Sequence, residues 1–250
     1  MNSELRARFA ELHQPGDPIL LYNIWDVSSA KAVAAGGAKA LATGSHSLAE
    51  ANGFPDGEQI PFNLFLDCVR RIVQGVDLPV SADFEGGFAV DPARLADHAR
   101  YLAETGVVGC NFEDQEIGGP GLHPIEHQAA RVAAVVESGL WVNARTDLFL
   151  RKLIAGENPN DRALMSEAIE RAHAYAQAGA HSFFVPGLSD LDLIADICAA
   201  SPLPVNVIKG DSMDLAATAK AGVARISWGP RPWRWAMDRL TQEARAIHGG

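Results

Sequence analysis

Three short polar stretches each follow an apolar run: Asp83-Phe84-Glu85 after 78–82, Glu113-Asp114 after 107–112, and Asn143-Ala144-Arg145-Thr146-Asp147 after 140–142. Each run reads as a buried strand, and the chain between runs leaves room for one helix. If the strands are parallel neighbours, their acids and the Arg145 guanidinium meet at one end of a sheet. Carboxylates gathered there repel one another and lose hydration, a cost that a bound cation removes. The chemistry indicated is a divalent-metal site with an arginine beside it for an anionic ligand. Asp83 and Glu85 stand two apart and can face the same side. Hard oxygen donors at this density suit Mg2+ or Mn2+, with water completing the shell. Glu113 would share the ion from the next strand. In the competing reading these acids cap helices or pair with lysines, and Arg145 pairs with Asp147 or Glu113.

The elements that must position these residues repeat along the chain. An amphipathic helix, a glycine and a short apolar strand recur around Gly36-Gly37, Gly106, Gly139, Gly179 and Gly222. Glycine accepts the left-handed conformation that ends a helix. The strands that follow are nearly all apolar, as expected when both faces are covered. Eight strands are predicted, at 19–23, 39–43, 79–83, 107–112, 140–144, 181–185, 204–208 and 223–227. Helices are predicted over 62–74 and 162–177, with Asp91-Pro92 opening another and Asp211 or Ser212 capping the one before Gly222. Eight strand–helix units in 250 residues fit an α/β (β/α)8 TIM barrel, one domain over 1–250 with an N-terminal helix. A doubly wound sheet is the competitor, but no G-x-G-x-x-G follows the first strand. In a barrel, function collects after each strand: at Asn23, Gly44-Ser45-His46, Asp83 to Glu85, Glu113-Asp114, Arg145, Pro186-Gly187, Asn206 and Ser227. The turn Gly44-Ser45-His46 offers backbone N–H groups to an anion.

Composition narrows the class. Hydrophobic residues at 48% supply a sizeable core, and charged residues at 21% fit a soluble globular chain. A net charge of −10 opposes a nucleic-acid partner, which demands basic patches. The polar N-terminus is not a signal peptide, and no apolar stretch reaches the length of a membrane span. Cys68, Cys110 and Cys198 have no metal-ligand spacing and read as reduced thiols, so a cytoplasmic location is expected. Trp228, Trp233 and Trp235 form an aromatic stripe suited to a core or an interface. His13, His98, His173, His181 and His248 imply no function.

Taken together, 23–26, 53–57, 82–88, 111–114, 143–147 and 184–187 give the chain a resemblance to the isocitrate lyase/phosphoenolpyruvate mutase superfamily, over about 20–240. The resemblance implies a barrel with Mg2+ that acts on short 2-oxo or 2-hydroxy acids through a pyruvate-like enolate. It also implies a homo-oligomer, a dimer or a tetramer with the last helix swapped between partners. By position Asp83, Glu85 and Glu113 correspond to the metal-site acids, with Asp56 more distant in the same shell. Arg145 corresponds to the anion-binding arginine and Gly44-Ser45-His46 to the carboxylate-holding turn; Asn206, from its place among the strand-end positions of the barrel, is a further candidate substrate contact. Glu85 replaces the aspartate of many relatives.

One segment departs from the family pattern. Where lyases for isocitrate and methylisocitrate carry a loop with a lysine and a proton-donating cysteine, this chain has Gln115 to His123 with neither. His123, Glu116 or a metal-ordered water then remain as donors, and the glycine-rich 118–121 is a candidate lid. The expected function is a Mg2+-dependent lyase or decarboxylase working on a C–C bond. The alternatives are phosphorus–carbon chemistry on phosphonopyruvate or phosphoenolpyruvate, and a keto-acid-binding barrel without turnover. A phosphosugar enzyme ranks last, because Lys209-Gly210 and Trp228-Gly229-Pro230 match its phosphate site poorly.

Overall fold

The computed structural model describes residues 3–249. All eight predicted strands are present: β1 Ile19–Leu21, β2 Leu41–Ala42, β3 Val80–Asp83, β4 Gly109–Glu113, β5 Trp141–Arg145, β6 Ser182–Phe184, β7 Val205–Ile208 and β8 Arg225–Ser227. They are parallel and follow the order β1-β8-β7-β6-β5-β4-β3-β2. A parallel bridge between Ile24 and Thr43 joins the two ends of that order. The result is a nearly closed (β/α)8 barrel.

Helices alternate with the strands: α1 Ser3–Glu11, α2 Val27–Ala35, α3 Ser45–Ala51, α4 Phe62–Gln74, α5 Pro92–Glu104, α6 Ile125–Val136, α7 Leu148–Ile154, α8 Met165–Gln177, α9 Leu191–Ala200, α10 Leu215–Lys220 and α11 Arg231–His248. The helix predicted over 162–177 opens with a 3-10 turn at Arg162–Leu164 before α8. Asp91 caps α5 as its Asp-Pro pair implied, accepting from the Arg94 N–H. The cap expected at Asp211 or Ser212 lies instead at Asp214, which accepts from the Ala217 N–H. Residues before it turn so that Met213 is buried, which delays the helix start.

Strand alternation sorts the side chains into two cores. Outward-facing Ala82, Cys110, Phe112, Val142 and Ala144 pack under the helices. Inside the barrel the middle layer is polar. Asn143 donates to Asn111 Oδ1 and Asn206 Oδ1, both at 2.9 Å, and Arg225 donates to Asn111 Oδ1 at 2.8 Å. At the amino-terminal floor, α1 lays Phe9 against Ile19, Leu21, Ala40, Ala42 and Val108. His13 stacks there on Trp141 at 5.0 Å. Cys68, Cys110 and Cys198 are free thiols.

Candidate active site

The carboxyl ends of the strands open into one cavity of about 870 Å3. Asp83, Glu85, Glu113, Arg145, Asp56, Gly44, Ser45 and His46 all line it. β3 and β4 pair in register and β4 pairs with β5 so that Glu113 sits opposite Arg145. This register brings the acids of adjacent strands and the guanidinium together.

Asp83 is buried and accepts from the Ser45 N–H at 3.1 Å and from Asn111 Nδ2 at 3.4 Å. Glu85 takes a φ of 50°, a left-handed conformation that is costly for a side chain with a Cβ. That turn sends its carboxylate to the N–H groups of Gly57 and Glu58, each at 3.0 Å. Strain of this kind concentrates at functional sites. The 52–61 loop thereby brings Asp56 to the mouth, where His46 Nδ1 lies 4.0 Å from its carboxylate.

Arg145 is shared between two acids. Its Nε and Nη2 donate to Asp147 at 2.6 and 2.9 Å, and Nη1 lies 2.8 Å from Glu113. Asp147 in turn is held by its N–H donating to Asp114 at 3.0 Å. Asp114 is fully buried and also accepts from Arg171 and Tyr175, so it braces the site from behind. The competing reading of Arg145 as an ion-pair partner is thus also realised.

The electrostatics are those of crowded acids. Burial, then Asp56, Asp83 and Glu58, push the Glu85 carboxyl up to about 8. Burial pushes Glu113 well above the carboxylate range; Arg145 pulls it back, while Asp147, Asp83 and Glu85 add to the rise. Asp56 is raised by burial and by Asp83. Arg145 is lowered by burial but raised more by Asp147 and Glu113, so it stays charged. One guanidinium divided between two carboxylates leaves the acid end of the cavity short of positive charge. Among the described residues no three His, Cys, Asp or Glu side chains stand as a ready-made ligand set. Mg2+ needs no such set, since it commonly takes one or two carboxylates and keeps several waters. The chemistry of the donors fits it: the carboxylates of Asp56, Asp83, Glu85 and Glu113 line one cavity and supply hard oxygen atoms.

Other sequence-predicted residues fall elsewhere. Asn206 lies a layer below the mouth with its amide engaged by Asn143, Val207 and Arg225. His123 is buried against His127, at 5.1 Å between rings, and does not line the cavity; burial and Arg131 lower it to about 4. Glu116 is also absent from the lining, whereas Gln115 and Ile117 of the same loop are present. That loop is tied by a bridge between Gln115 and Leu122 and by Arg151 donating to the Pro120 carbonyl. The Gly44 N–H closes the barrel onto Ile24 and the Ser45 N–H holds Asp83, so these two amides of the expected anion-binding turn are already engaged. Sequence reasoning missed Asn111 and Arg225, though Asn111 precedes Glu113 by two and must share its face. It also missed Lys209, Arg231 and Arg234 as lining residues.

A barrel with acids and Arg145 at its carboxyl-terminal mouth defines the class. The profile of the phosphoenolpyruvate phosphomutase family matches residues 9–248, and the chain belongs to that family. An uncharacterized protein of Mycobacterium tuberculosis is 31% identical over 247 residues, covering 97% of this chain and 89% of its own. A candidate phosphonomutase structure from Burkholderia cenocepacia J2315 superposes with a TM-score of 0.93 at 42% identity, covering 97% and 100% of the two chains. A phosphonopyruvate hydrolase solved with oxalate and Mg2+ shares the fold, with a TM-score of 0.83, 19% identity and 98% and 88% coverage. More distant relatives include a 2-methylisocitrate lyase of Bacillus subtilis at 25% identity and a carboxyvinyl-carboxyphosphonate phosphorylmutase of Arabidopsis thaliana at 27%. No helix of the described residues is long and apolar enough to cross a membrane.

Proposed function

We propose that this chain is a Mg2+-dependent enzyme that makes or breaks a C–C bond of a short 2-oxo or 2-hydroxy acid, in the manner of a lyase or decarboxylase. The observation that carries this reading is the convergence of Asp83, Glu85, Asp56 and Glu113 on one cavity beside Arg145. A divalent cation, when bound, would polarise the acid's C1 carboxylate and C2 oxygen. As the C–C bond breaks, its electron pair becomes enolate charge on the pyruvate-like fragment. Arg145 uses three of its five N–H groups on Asp147 and Glu113, leaving two to meet that charge. Loss of one such donor typically costs about 3 kcal/mol of barrier. Glu113, buried beside Arg145, holds the guanidinium at the cavity. Asp83 orients the cation and is itself fixed by Ser45 and Asn111.

A homo-oligomer, a dimer or tetramer, belongs to the same proposal. Leu240 and Ile247, seven apart on α11, are 62% and 79% exposed, and Leu20 on β1 and Tyr22 just after it stand 45% and 38% exposed. An apolar helix face and an uncovered strand in one chain support exchange of α11 between copies. The chain length, charge and cysteines favour a cytoplasmic setting and no nucleic-acid or membrane partner.

The test is turnover of oxaloacetate, methylisocitrate, dimethylmalate-type acids and phosphonopyruvate with Mg2+, then with chelator. The expected result is chelator-sensitive release of carbon dioxide or of an oxo-acid fragment. A second reading, phosphorus–carbon cleavage or transfer, draws support from the family description and from the Burkholderia relative. Phosphate release from phosphonopyruvate would establish that reading instead. Mg2+-dependent oxalate binding with no turnover across the panel would establish the binding barrel.

A further inference from the structure

At the amino-terminal floor, α1 and the turns that enter β5 and β6 frame a second cavity of about 510 Å3, a size that suits a small molecule. Ser3, Arg6, Ala7 and Ala10 line it from one face of α1, with Gly139, Trp141 and His181 across from them. None of these residues lines the mouth, so the two cavities share no wall. The floor cavity has one guanidinium in its lining and no carboxylate. Much of the rest is alanine, glycine and the Trp141 ring, whose own N–H already donates to Ser182 Oγ at 3.2 Å.

The tautomer of His181 decides what this cavity can take. The backbone N–H of Val142, fixed in β5, donates to His181 Nδ1 at 3.1 Å. Nδ1 is therefore the bare nitrogen of the ring, and Nε2 carries the proton. Burial, with Arg6 adding to it, lowers His181 to about 4, so the ring is neutral and its single acceptor is spent. Yet Arg6 Nη2 lies 3.4 Å from Nε2. Two N–H groups thus converge on one spot whose lining offers no carboxylate to accept from them. Donors gathered in this way need an acceptor from outside the lining.

We propose that Arg6 and His181 Nε2 hold the carboxylate of a small organic acid whose apolar body packs against Ala7, Ala10 and Trp141. A carboxylate has two oxygens, one for each donor, and the guanidinium answers its charge. One formal positive charge suits a monoanion, whereas a phosphate dianion would keep a charge unpaired. The site needs no metal, and the inference stands apart from the function proposed for the mouth.

The experiment titrates the full chain with benzoate, and with benzamide as its uncharged match, following heat and tryptophan fluorescence. Each titration is run with and without oxalate and Mg2+, which address the mouth. The expected result is saturable benzoate binding that ignores oxalate and Mg2+ and is about tenfold or more tighter than benzamide binding. Its fluorescence change should vanish in Trp141→Phe. Arg6→Met should weaken benzoate by about tenfold or more and leave benzamide unchanged. Arg6 is only partly buried and methionine keeps its apolar stem, so an unaltered melting midpoint is expected for this variant. Nitrogen-15 spectra of His181 should show the proton on Nε2. A proton on Nδ1 instead would remove the donor pair and overturn the floor site. So would the absence of saturable benzoate binding, equal affinity for benzamide, competition by oxalate, or benzoate binding that survives Arg6→Met.

Discussion

The mouth and the floor of this barrel are made by the same strands and solve different problems. At the mouth, Asp56, Asp83, Glu85 and Glu113 line an open cavity, and burial with neighbouring charge holds the Asp56, Glu85 and Glu113 carboxyls above the usual carboxylate range. At the floor, Phe9, His13 and Trp141 stack in an apolar plug with no carboxylate among them. Between them lies a hydrogen-bonded polar layer of Asn111, Asn143, Asn206 and Arg225, where branched aliphatic residues commonly fill barrels. Burial pulls the Arg225 guanidinium down to about 10, with Asp83 opposing, so this lone cation lies beneath the acids. The contrast separates stability from chemistry. Among the described residues the left-handed non-glycine positions, Glu58, Glu85 and Phe88, follow β2 and β3, at the end where the acids crowd and a ligand would relieve them.

The strongest way to break that contrast is Asp83→Ala. With Asp83 gone, oxalate affinity in the presence of Mg2+ should fall by about 100-fold or more, and turnover by about 1000-fold, as expected for losing a cation's main anchor and its electrostatic help. The thermal midpoint of the metal-free protein should hold or rise, because one repelling charge has left the mouth. Calorimetry and melting on the same sample check both halves. A variant that keeps Mg2+-dependent oxalate binding would remove Asp83 from the site.

Phe9→Ala at the floor should do the reverse. Phe9 is fully buried, and truncating a buried phenyl ring costs about 3–5 kcal/mol. Denaturant unfolding should show that loss, while the folded fraction binds oxalate as the parent does. Equal damage to binding would mean that the two ends are coupled.

How much of this contrast could be read from residues alone differs between the ends. The strands were legible because apolar runs recur after helix-ending glycines, and Gly106 and Gly179 do take φ near 96° and 92°. The acids were legible because Asp83 and Glu85, or Glu113 and Arg145, follow such runs directly. Placement depending on long-range closure was not legible. Asn206 falls in the middle of the predicted strand 204–208, and β7 keeps its amide inside the barrel below the mouth. His123 belongs to a loop that folds back on Asp114, away from the mouth, through its N–H. The Gly44 and Ser45 amides are spent on barrel closure and on Asp83, which no local pattern records. Arg231 and Arg234 reach the cavity because of where α11 begins, and the prolines that set its start carry no charge to draw attention.

The smallest expected effects come from pH, and the two ends should respond with opposite sign. Glu85 ionises near 4.5 when exposed but only near 8 in the fold. Across that window the folded state holds a proton that the unfolded state has released, so stability falls as pH rises, by up to about 1.4 kcal/mol per pH unit. His13 protonates near 6.5 when exposed but only near 3 in the fold, chiefly through burial and then Arg225. There the unfolded state binds the extra proton, and stability is lost as pH falls from 6.5 toward 3. Denaturant midpoints measured from pH 4 to 9 should therefore decline on both sides. Glu85→Gln should flatten the alkaline limb and leave the acid limb alone, since an amide oxygen can still accept from Gly57 and Glu58. His13→Gln should flatten only the acid limb. Saturating Mg2+ should mimic Glu85→Gln in the parent, because a cation at the mouth favours the ionised acids. If Mg2+ instead altered the acid limb, the cation would be acting somewhere other than among Asp83, Glu85 and Glu113.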